Sequence, residues 1–436
     1  MFLQAGRSLS SLTVDSHGKP LSGVMQVPGD KSISHRAVLM AGLAHGTSRI
    51  TGLSSGLDVA ATRRALEAFG VPVQPAGAPG AWNVTGGGRR EAETVIDVGN
   101  SGTSIRLLSG WSASMDALTV LVGDESIAKR PMGRVVEPLR EMGAMLDARC
   151  QATLPPLVVR GGDLHGIDYT VPVPSAQVKG AVLLAGLSAE GETTVREGQP
   201  TRAHTEEMLP LWGAEVVVGR GHVTVRPSRL HPWDFHVPGD PSQAAFWVVA
   251  ACVTPGSEVT VEKVYLGPGR AGFVDVLRRM GAHVEVVDYD SESAVGDLHA
   301  SYGPLRATTV GGDEVPGLID EIPVLAVAAA VASGTTTFAD AAELRHKESD
   351  RVSSTVGALR SVGFEAEGMP DGLVVQGSSG RPARGGTVDS VGDHRVAMSM
   401  AVVGLAASEP VTIQGWECVR TSYPSFEEDM ARCRAR

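Results

Sequence analysis

The sequence predicts an α/β protein of two similar domains, each with three βαβαββ units around buried parallel helices. Three observations support this prediction. One turn sequence occurs twice, once in each half of the chain. Six helical segments are apolar on nearly all sides, which is typical of buried helices. A second type of helix, which ends in glycine, recurs about every 70 residues.

The repeated turn reads Val-Pro-Gly-Asp and precedes a helix in both halves. It occupies residues 27–30 and again residues 237–240. Each copy leads into an Ala-rich apolar segment, then a glycine, then a short β-branched stretch that is typical of a strand. Asp30 or Ser32 can cap the first of these helices, because a short side-chain oxygen accepts hydrogen bonds from the free N–H groups of a first turn.

Four weaker copies of this pattern have the same order of polar start, apolar helix and break. They begin near residues 99, 174, 319 and 393. The second helix type places a glycine after its last apolar residue, and such a glycine favours the left-handed conformation that ends a helix. These glycines are Gly70, Gly143, Gly213, Gly281 and Gly363.

The strong restart at residue 237 divides the six units into two domains. We expect residues 1–29 and 240–436 to form the first domain and residues 30–239 to form the second, with hinges near Gly29 and Gly239. The first 29 residues would pair with the C-terminal half, because the first complete unit starts only after them. If the two domains face each other, the six polar helix starts converge on one cleft.

Composition and charge argue against several classes of protein. The chain has 436 residues, of which 42% are hydrophobic and 20% are charged, as expected for a globular protein with a large core. Its net charge of −11 argues against a nucleic-acid partner or an anionic membrane surface. The four cysteines lack metal-ligand spacing, and no segment resembles a signal sequence or a membrane span. We therefore expect a cytoplasmic protein with reduced thiols and no metal.

The polar helix starts bring cations together in a chain that is acidic overall. Lys31 and Arg36 lie at a helix start, where a positive charge opposes the helix dipole. A bound anion would explain why two cations are placed there. Two carboxylates near other cations, Asp320 and Glu348, could transfer protons. The candidate residues are Lys31, Ser32, Arg36, Asn100, Gly102, Thr103, Arg106, Ser175, Gln177, Lys179, Asp320, Asp393, His394 and Arg395, with the loops 129–131 and 345–351.

The residues alone also allow simpler interpretations. The first helix start could be a solvated end with two surface charges. Arg106 and Lys179 could be outward charges on their helices. Asn100 would mainly cap its helix, and His35 would be a structural residue.

Six ordered motifs resemble one known family. They are Gly-Asp-Lys-Ser-Ile-Ser-His-Arg at 29–36, Gly-Asn-Ser-Gly-Thr at 99–103, Arg-Pro at 130–131, Ser-Ala-Gln at 175–177, Lys-Glu-Ser-Asp-Arg at 347–351 and Asp-His-Arg at 393–395. Together they are similar to the 5-enolpyruvylshikimate-3-phosphate synthases over about residues 20–430. The resemblance implies a two-domain inside-out α/β barrel. It also implies transfer of the enolpyruvyl group of phosphoenolpyruvate to the 5-hydroxyl of shikimate 3-phosphate.

The resemblance further implies residue roles. Asp320 would accept the proton of the attacking hydroxyl, Glu348 would protonate the methylene carbon of phosphoenolpyruvate, and Lys31 would be a third catalytic residue. Shikimate 3-phosphate would contact Lys31, Ser32, Arg36, Ser175, Ala176, Gln177, Arg202, Asp320 and Lys347. Phosphoenolpyruvate would contact Lys31, Gly102, Arg130, Gln177, Arg351 and Arg395, with Arg420 as a further contact where many members carry a lysine.

The same resemblance implies a monomer that closes around its two substrates and needs no metal or organic cofactor. Glyphosate, a mimic of phosphoenolpyruvate, would inhibit it because Gly102 leaves room. Two alternatives stay open. The UDP-N-acetylglucosamine enolpyruvyl transferases share the fold, but they place a cysteine in a mobile loop, and this chain has none between Gly99 and Arg130. A non-catalytic anion-binding protein on the same scaffold is the other alternative.

Overall fold

The structure is a computed structural model that describes residues 10–15 and 19–434. The chain divides into two compact units. Unit 1 comprises Met1–Val27 and Gly239–Arg436, and unit 2 comprises Pro28–Pro238. Each unit has its own sheets and its own buried helices.

The described strands are short, with two to eight residues each, and in many of them more buried and less buried residues alternate. In chain order they are β1 (Ser11–Val14), β2 (Ser22–Gln26), β3 (Gly46–Thr51), β4 (Val73–Pro75), β5 (Trp82–Gly86), β6 (Ile96–Asp97), β7 (Leu118–Val122), β8 (Met145–Ala148), β9 (Leu154–Arg160), β10 (Asp168–Val171), β11 (Thr193–Glu197), β12 (Val216–Gly219), β13 (His222–Val225), β14 (Phe235–His236), β15 (Glu258–Tyr265), β16 (His283–Asp290), β17 (Val295–Ser301), β18 (Thr309–Val310), β19 (Thr335–Phe338), β20 (Glu365–Met369), β21 (Gly372–Gln376), β22 (Gly386–Asp389) and β23 (Val411–Gln414).

The helices separate the strands in a regular order. They are α1 (Lys31–Leu43), α2 (Leu57–Ala68), α3 (Gly102–Ala113), α4 (Gly133–Glu141), the single turn α5 (Arg149–Ala152), α6 (Ala176–Gly186), α7 (His204–Met208), α8 (Pro241–Val253), α9 (Gly272–Arg279), α10 (Ile322–Val331), α11 (Arg351–Ser361), α12 (His394–Ala406) and α13 (Phe426–Arg434). Short 3-10 turns span Ile127–Lys129, Leu209–Trp212, Gly312–Gly317, Ala342–His346 and Trp416–Thr421.

The sheets repeat one arrangement. In unit 2 the strand orders are β6-β7-β9-β8, β10-β11-β13-β12 and β14-β3-β5-β4, and in each the first pair is parallel and the others are antiparallel. Unit 1 has the orders β16-β17-β15-β2, β18-β19-β21-β20 and β1-β23-β22. The two N-terminal strands therefore belong to sheets of unit 1, because β1 pairs with β23 and β2 runs parallel to β15.

The core of each unit is formed by helices that carry apolar residues on all sides. In unit 1, α8 is buried along its whole length, and it contacts both α10 and α12. In unit 2, α3 contacts both α1 and α6. A fully buried Leu, Val or Phe side chain contributes about 1.5–3 kcal/mol relative to exposure, so these helices are held by packing more than by helix propensity.

The predicted helix ends are largely confirmed. Asp30 caps α1, since its Oδ1 accepts a hydrogen bond from the N–H of Ile33 at 2.8 Å. All five predicted glycines have a positive φ, between 77° and 105°. The expectation for Asn100 is wrong, because Ser101 caps α3 by accepting from Ser104 N at 3.1 Å. Asn100 Nδ2 instead donates to Asp124 Oδ2 at 2.6 Å.

Two further expectations concern the cysteine thiols and membrane-spanning helices. All four cysteines carry free thiols, and burial raises the pKa of Cys252 and Cys418 to about 12, so both stay protonated. No helix in the described ranges has both the length and the apolar character that a membrane crossing requires.

Candidate active site

The start of α1 holds two cations of unit 2 in fixed positions. Lys31 Nζ lies 3.0 Å from Asp58 Oδ2 in the first turn of α2. The Arg36 guanidinium donates to Thr205 Oγ1 at 2.7 Å, to the Ser32 carbonyl at 3.0 Å and to the Ala176 carbonyl at 3.1 Å. Burial lowers the pKa of Arg36 to about 10, which still leaves it charged at neutral pH. This helix start is therefore not a solvated end with loose surface charges.

His35 lies between these cations and has a structural role, as the simpler interpretation proposed. Its Nδ1 is 2.7 Å from Thr62 Oγ1, and the ring is fully buried. Burial, with Lys31 and Arg36 nearby, lowers the pKa of His35 well below its usual value. The imidazole is therefore neutral at neutral pH.

Gly102 and Arg130 lie against each other at the start of α3. Arg130 follows the 3-10 turn Ile127–Lys129, and its Nη2 donates to Ser126 Oγ at 3.3 Å and to Asn100 Oδ1 at 3.5 Å. A Cβ atom at position 102 would overlap with Arg130 Nη1. Glycine therefore allows the guanidinium to lie directly beside the helix N-terminus, where both attract an anion.

Gln177 in the first turn of α6 is fixed from two sides. Its Nε2 donates to Thr103 Oγ1 at 2.9 Å, and Arg106 Nη1 donates to its Oε1. Arg106 also donates from Nη2 to the Pro131 carbonyl at 3.3 Å. Arg106 is 9% exposed, so the interpretation as an outward charge is wrong. It connects α3, α6 and the segment that follows Arg130.

Lys179 is also buried, and the interpretation as an outward charge is wrong for it as well. Its Nζ lies 2.6 Å from Glu197 Oε2 and 2.6 Å from Glu206 Oε1. Ser175 caps the same helix, accepting from Val178 N at 3.3 Å. Arg202 lies between β11 and α7 and is half-buried. The candidate residues of unit 2 thus lie at the starts of α1, α3 and α6 and in two adjoining segments.

In unit 1 the candidate residues are organised by Arg351, the first residue of α11. Its Nε donates to Asp393 Oδ2 at 2.9 Å, its Nη1 to Asp320 Oδ1 at 3.0 Å, and its Nη2 to Glu348 Oε2. Burial alone would lower the pKa of Arg351, but the three carboxylates outweigh burial and raise it. The two predicted proton-transfer groups, Asp320 and Glu348, therefore bind the same guanidinium.

Lys347 is the second cation beside Asp320. Its Nζ lies 3.7 Å from Asp320 Oδ1. Burial lowers the pKa of Lys347, the Asp320 carboxylate raises it, and the neighbouring Arg351 lowers it again, so that the net shift is downward. The ammonium group is thus held close to the group that would transfer a proton.

The start of α12 carries Arg395 and its cap Asp393. Asp393 Oδ1 accepts from the N–H of Arg395 at 2.9 Å, while its Oδ2 accepts from Arg351. Arg395 Nη1 lies 3.8 Å from Glu321 Oε1, and Ser242 of α8 donates to the same oxygen. Arg420 lies in the 3-10 turn Trp416–Thr421 and is exposed.

These contacts define what each unit can do chemically. Unit 2 presents cations and helix N-termini, which bind phosphate and carboxylate groups. An anion about 4 Å from one such cation gains about 4 kcal/mol at an effective dielectric constant near 20. Unit 1 presents two carboxylates held by Arg351 and Lys347, a set that can accept and donate protons next to an anion.

The sequence profile of the EPSP synthase (3-phosphoshikimate 1-carboxyvinyltransferase) family matches residues 16–430. The chain belongs to the EPSP synthase family.

Named relatives of similar length agree with this family. A 3-phosphoshikimate 1-carboxyvinyltransferase from Alkaliphilus metalliredigens is 43% identical over 96% of this chain and 99% of its own. The one from Geobacillus kaustophilus is 46% identical over 94% of this chain and 97% of its own. The solved EPSP synthase of Acinetobacter baumannii superposes with a TM-score of 0.86 at 38% identity, covering 97% of this chain and 98% of that one.

The predicted fold class is confirmed by these structures and by a more distant one. The enolpyruvyl transferase NikO from Streptomyces tendae has a TM-score of 0.78 over 98% of both chains, at 19% identity. Its similarity shows the fold alone. The fold that the repeats in this sequence predict is thus shared with the Acinetobacter baumannii enzyme.

The partners that hold the candidate cations were not among the residues that the sequence predicted for the site. Asp58 binds Lys31, Thr205 binds Arg36, and Glu321 lies beside Arg395. Two of these partners carry a weak sequence signal, since Asp58 lies in the first turn of a helix and Glu321 follows Asp320. Glu197 and Glu206, the partners of Lys179, carry no pattern that sequence alone could assign.

Proposed function

We propose that this protein transfers the enolpyruvyl group of phosphoenolpyruvate to the 5-hydroxyl of shikimate 3-phosphate and releases inorganic phosphate, a step of the shikimate pathway. One observation carries the proposal. Asp320 and Glu348 both bind the Arg351 guanidinium, and Lys347 lies 3.7 Å from Asp320. Two carboxylates beside two cations supply the proton transfers and the anion binding that this reaction needs. The family of the chain supports the same reaction.

In the addition step, a C–O bond forms between the 5-oxygen of shikimate 3-phosphate and C2 of phosphoenolpyruvate. Asp320, which starts as the carboxylate, accepts the hydroxyl proton, and Glu348, which starts as the carboxylic acid, delivers its proton to the methylene carbon, which becomes a methyl group. The product is a tetrahedral intermediate that keeps the phosphate. Lys347, 3.7 Å from Asp320, and Arg351 stabilise the carboxylates as their charge changes.

In the elimination step, the C2–O bond to phosphate breaks and the enol ether double bond forms. Glu348 takes back a methyl proton, and Asp320 returns its proton to the departing phosphate, so both carboxylates recover their first state. Cations beside the leaving group favour this step because they stabilise negative charge as it develops. The residues present supply every proton of the cycle.

The binding sets follow from the cations. We assign the shikimate 3-phosphate anions to Lys31, Ser32, Arg36, Ser175, Ala176, Gln177 and Arg202, with Asp320 and Lys347 at its 5-hydroxyl. We assign phosphoenolpyruvate to Lys31, Gly102, Arg130, Gln177, Arg351 and Arg395, with Arg420 as a further contact. The bonds that fix Arg36, Gln177 and Arg351 support these assignments because they limit the side chains to one orientation before a ligand arrives.

The proposal extends to the state and location of the protein. We assign it to the cytoplasm as a monomer with two domains, hinged near Gly29 and Gly239. The free thiols of all four cysteines support a reducing compartment.

The test is phosphate release by the purified protein. We expect release when shikimate 3-phosphate and phosphoenolpyruvate are both present, and none above background with either compound alone. UDP-N-acetylglucosamine is the control acceptor, because it would replace shikimate 3-phosphate if the protein had the activity of the UDP-N-acetylglucosamine enolpyruvyl transferases. Release with that acceptor, or none with shikimate 3-phosphate, would contradict the proposal.

A further inference from the structure

One buried lysine of unit 2 belongs to none of the proposed substrate contacts. Lys179 lies in the second turn of α6 and is 1% exposed. Its ammonium group lies 2.6 Å from a carboxylate oxygen of Glu197 and 2.6 Å from one of Glu206. A buried lysine with two buried carboxylates is costly to desolvate, so these ion pairs add little net stability compared with apolar side chains of the same size.

The two carboxylates lie at the two ends of the segment that carries Arg202. Glu197 is the last residue of β11, and Glu206 lies in α7. Thr201, next to Arg202, donates its hydroxyl proton to the other oxygen of Glu197. Lys179 therefore ties both ends of the segment 198–203 to α6.

The same turn of α6 is connected to Arg36. Arg36 Nε donates to Thr205 Oγ1 at 2.7 Å, and Thr205 precedes Glu206. Gly180 follows Lys179, and a Cβ atom there would lie 2.8 Å from Thr205 Oγ1 and 3.2 Å from Arg36 Nη2. Lys179 thus holds Glu206 on one side of α6, while Gly180 leaves the room that Arg36 and Thr205 need.

Charge gives Lys179 a second effect. Glu206 and Arg202 both act on the Arg36 guanidinium through space, the first raising and the second lowering its pKa, although burial is the largest influence. Without Lys179, the buried Glu206 carboxylate would be left uncompensated near Arg36, and the buried Glu197 carboxylate would be left at the start of the segment that carries Arg202. Their negative charge would offset much of the attraction that Arg36 and Arg202 exert on that phosphate.

We propose that Lys179 is a positioning residue for the phosphate of shikimate 3-phosphate, holding the Arg202 segment in place and neutralising Glu197 and Glu206 behind Arg36. The inference rests on the proposed function. Lys179 itself makes no contact with the substrate. Phosphoenolpyruvate, which is assigned to other residues except Lys31 and Gln177, should be affected much less.

The first experiment measures steady-state kinetics of Lys179→Met. We expect KM for shikimate 3-phosphate to rise about tenfold or more, and KM for phosphoenolpyruvate to change less than about twofold. The matched control is Arg196→Met. It also replaces a cation of an ion pair by methionine, in the same strand as Glu197. Arg196 binds Asp168 at 2.7 Å, and both side chains are about half exposed. We expect this control to leave both KM values unchanged.

The second experiment separates charge from packing. Lys179→Met combined with Glu206→Gln removes one positive and one negative charge, so the net charge behind Arg36 returns to that of the natural protein. We expect its KM for shikimate 3-phosphate to lie within about threefold of the natural value. A double variant no better than Lys179→Met would mean that the uncompensated charge of Glu206 does not cause the loss of affinity, and that result would overturn the proposal.

The double variant also serves if Lys179→Met does not fold, because it leaves one fewer uncompensated buried charge. In that case a tenfold higher KM for shikimate 3-phosphate in the folded double variant would overturn the charge argument. The natural protein is measured in the same assay. If it releases no phosphate, the proposed function fails. If it is active and Lys179→Met has an unchanged KM for shikimate 3-phosphate, this inference alone fails.

Discussion

Arg351 Nε lies 2.9 Å from Asp393 Oδ2, and both side chains are almost completely buried. Asp393 also caps α12, so one carboxylate joins the start of α11 to the start of α12. The two remaining nitrogens of the guanidinium hold Asp320 and Glu348. The group that sets the positions of both candidate proton-transfer residues is therefore itself fixed by the fold.

Replacing Arg351 should cost stability as well as activity. In Arg351→Met, the partly buried Asp320 and Glu348 and the fully buried Asp393 lose their shared cation. We expect the free energy of unfolding to fall by about 3–5 kcal/mol, the usual cost of removing one partner from a buried ion pair. Urea denaturation followed by circular dichroism measures the loss.

The control for this variant is Arg279→Met in the same unit. Arg279 binds Glu314 at 2.9 Å and also donates to Thr308 Oγ1 and the Thr309 carbonyl, but the Arg279 and Glu314 side chains are 41% and 32% exposed. A surface pair of this kind contributes about 0–1 kcal/mol, so the control should unfold close to the natural protein. Equal losses in the two variants would show that Arg351 is no more important to the fold than a surface arginine.

The lowered pKa of Lys347 predicts a specific pH dependence. Because the folded protein releases this proton below the ordinary lysine value of 10.5, the ammonium group is lost early on the alkaline side. We expect kcat/KM for shikimate 3-phosphate to fall there, and Lys347→Arg to move the fall to higher pH by about one unit or more, since arginine stays charged. A pH–rate profile checks this, with exposed Lys263→Arg as the control.

The same shift has a consequence for stability. Between the lowered folded pKa and 10.5, the unfolded chain binds more protons at Lys347 than the folded chain does. The contribution of this group to stability therefore rises with pH across that window. If the pH–rate profile of Lys347→Arg were the same as that of the natural protein, a group other than Lys347 would cause the alkaline fall in kcat/KM.

Asp320→Asn should separate binding from turnover. The amide keeps the shape of the carboxylate beside Arg351 and Lys347, but it cannot accept the hydroxyl proton. We expect kcat to fall by about 10²–10⁴, with binding of shikimate 3-phosphate retained, as measured by titration calorimetry. Asp275→Asn, on an exposed position of α9, is the control and should keep full activity. Turnover that survives in Asp320→Asn would favour a different base.

The fold was predictable because each repeat is marked by helix caps and C-terminal glycines, whose conformations depend on residues nearby in the sequence. The glycines after α2 and α9 adopt the left-handed conformation that their sequence position requires, and Asp30 caps α1. These features depend on neighbours a few residues away. They can therefore be predicted from a single sequence without knowledge of the tertiary contacts.

The site was predictable only in part, since its supporting contacts join residues far apart in the chain. Lys179 and Glu206 are 27 residues apart, and Arg36 and Thr205 are 169 apart. Nothing local distinguishes a buried lysine that has two carboxylate partners from an exposed one on a helix. Asn100 shows the same limit, because its amide binds Asp124, 24 residues further along the chain, while Ser101 caps the helix.

Gly102 provides the last prediction. Any Cβ at this position overlaps with Arg130 Nη1, so Gly102→Ala must push the guanidinium away from the start of α3. We expect the natural protein to be inhibited by glyphosate, and the variant to lose most of that inhibition and to bind phosphoenolpyruvate more weakly.

Gly133→Ala is the matched control, because Gly133 also opens a helix of unit 2 and its Cβ would meet nothing closer than Thr153 Cγ2 at 3.7 Å. Steady-state inhibition at fixed substrate checks both variants. Millimolar resistance in the natural protein, or equal resistance in the two variants, would mean that space beside Arg130 does not determine how this site accepts the inhibitor.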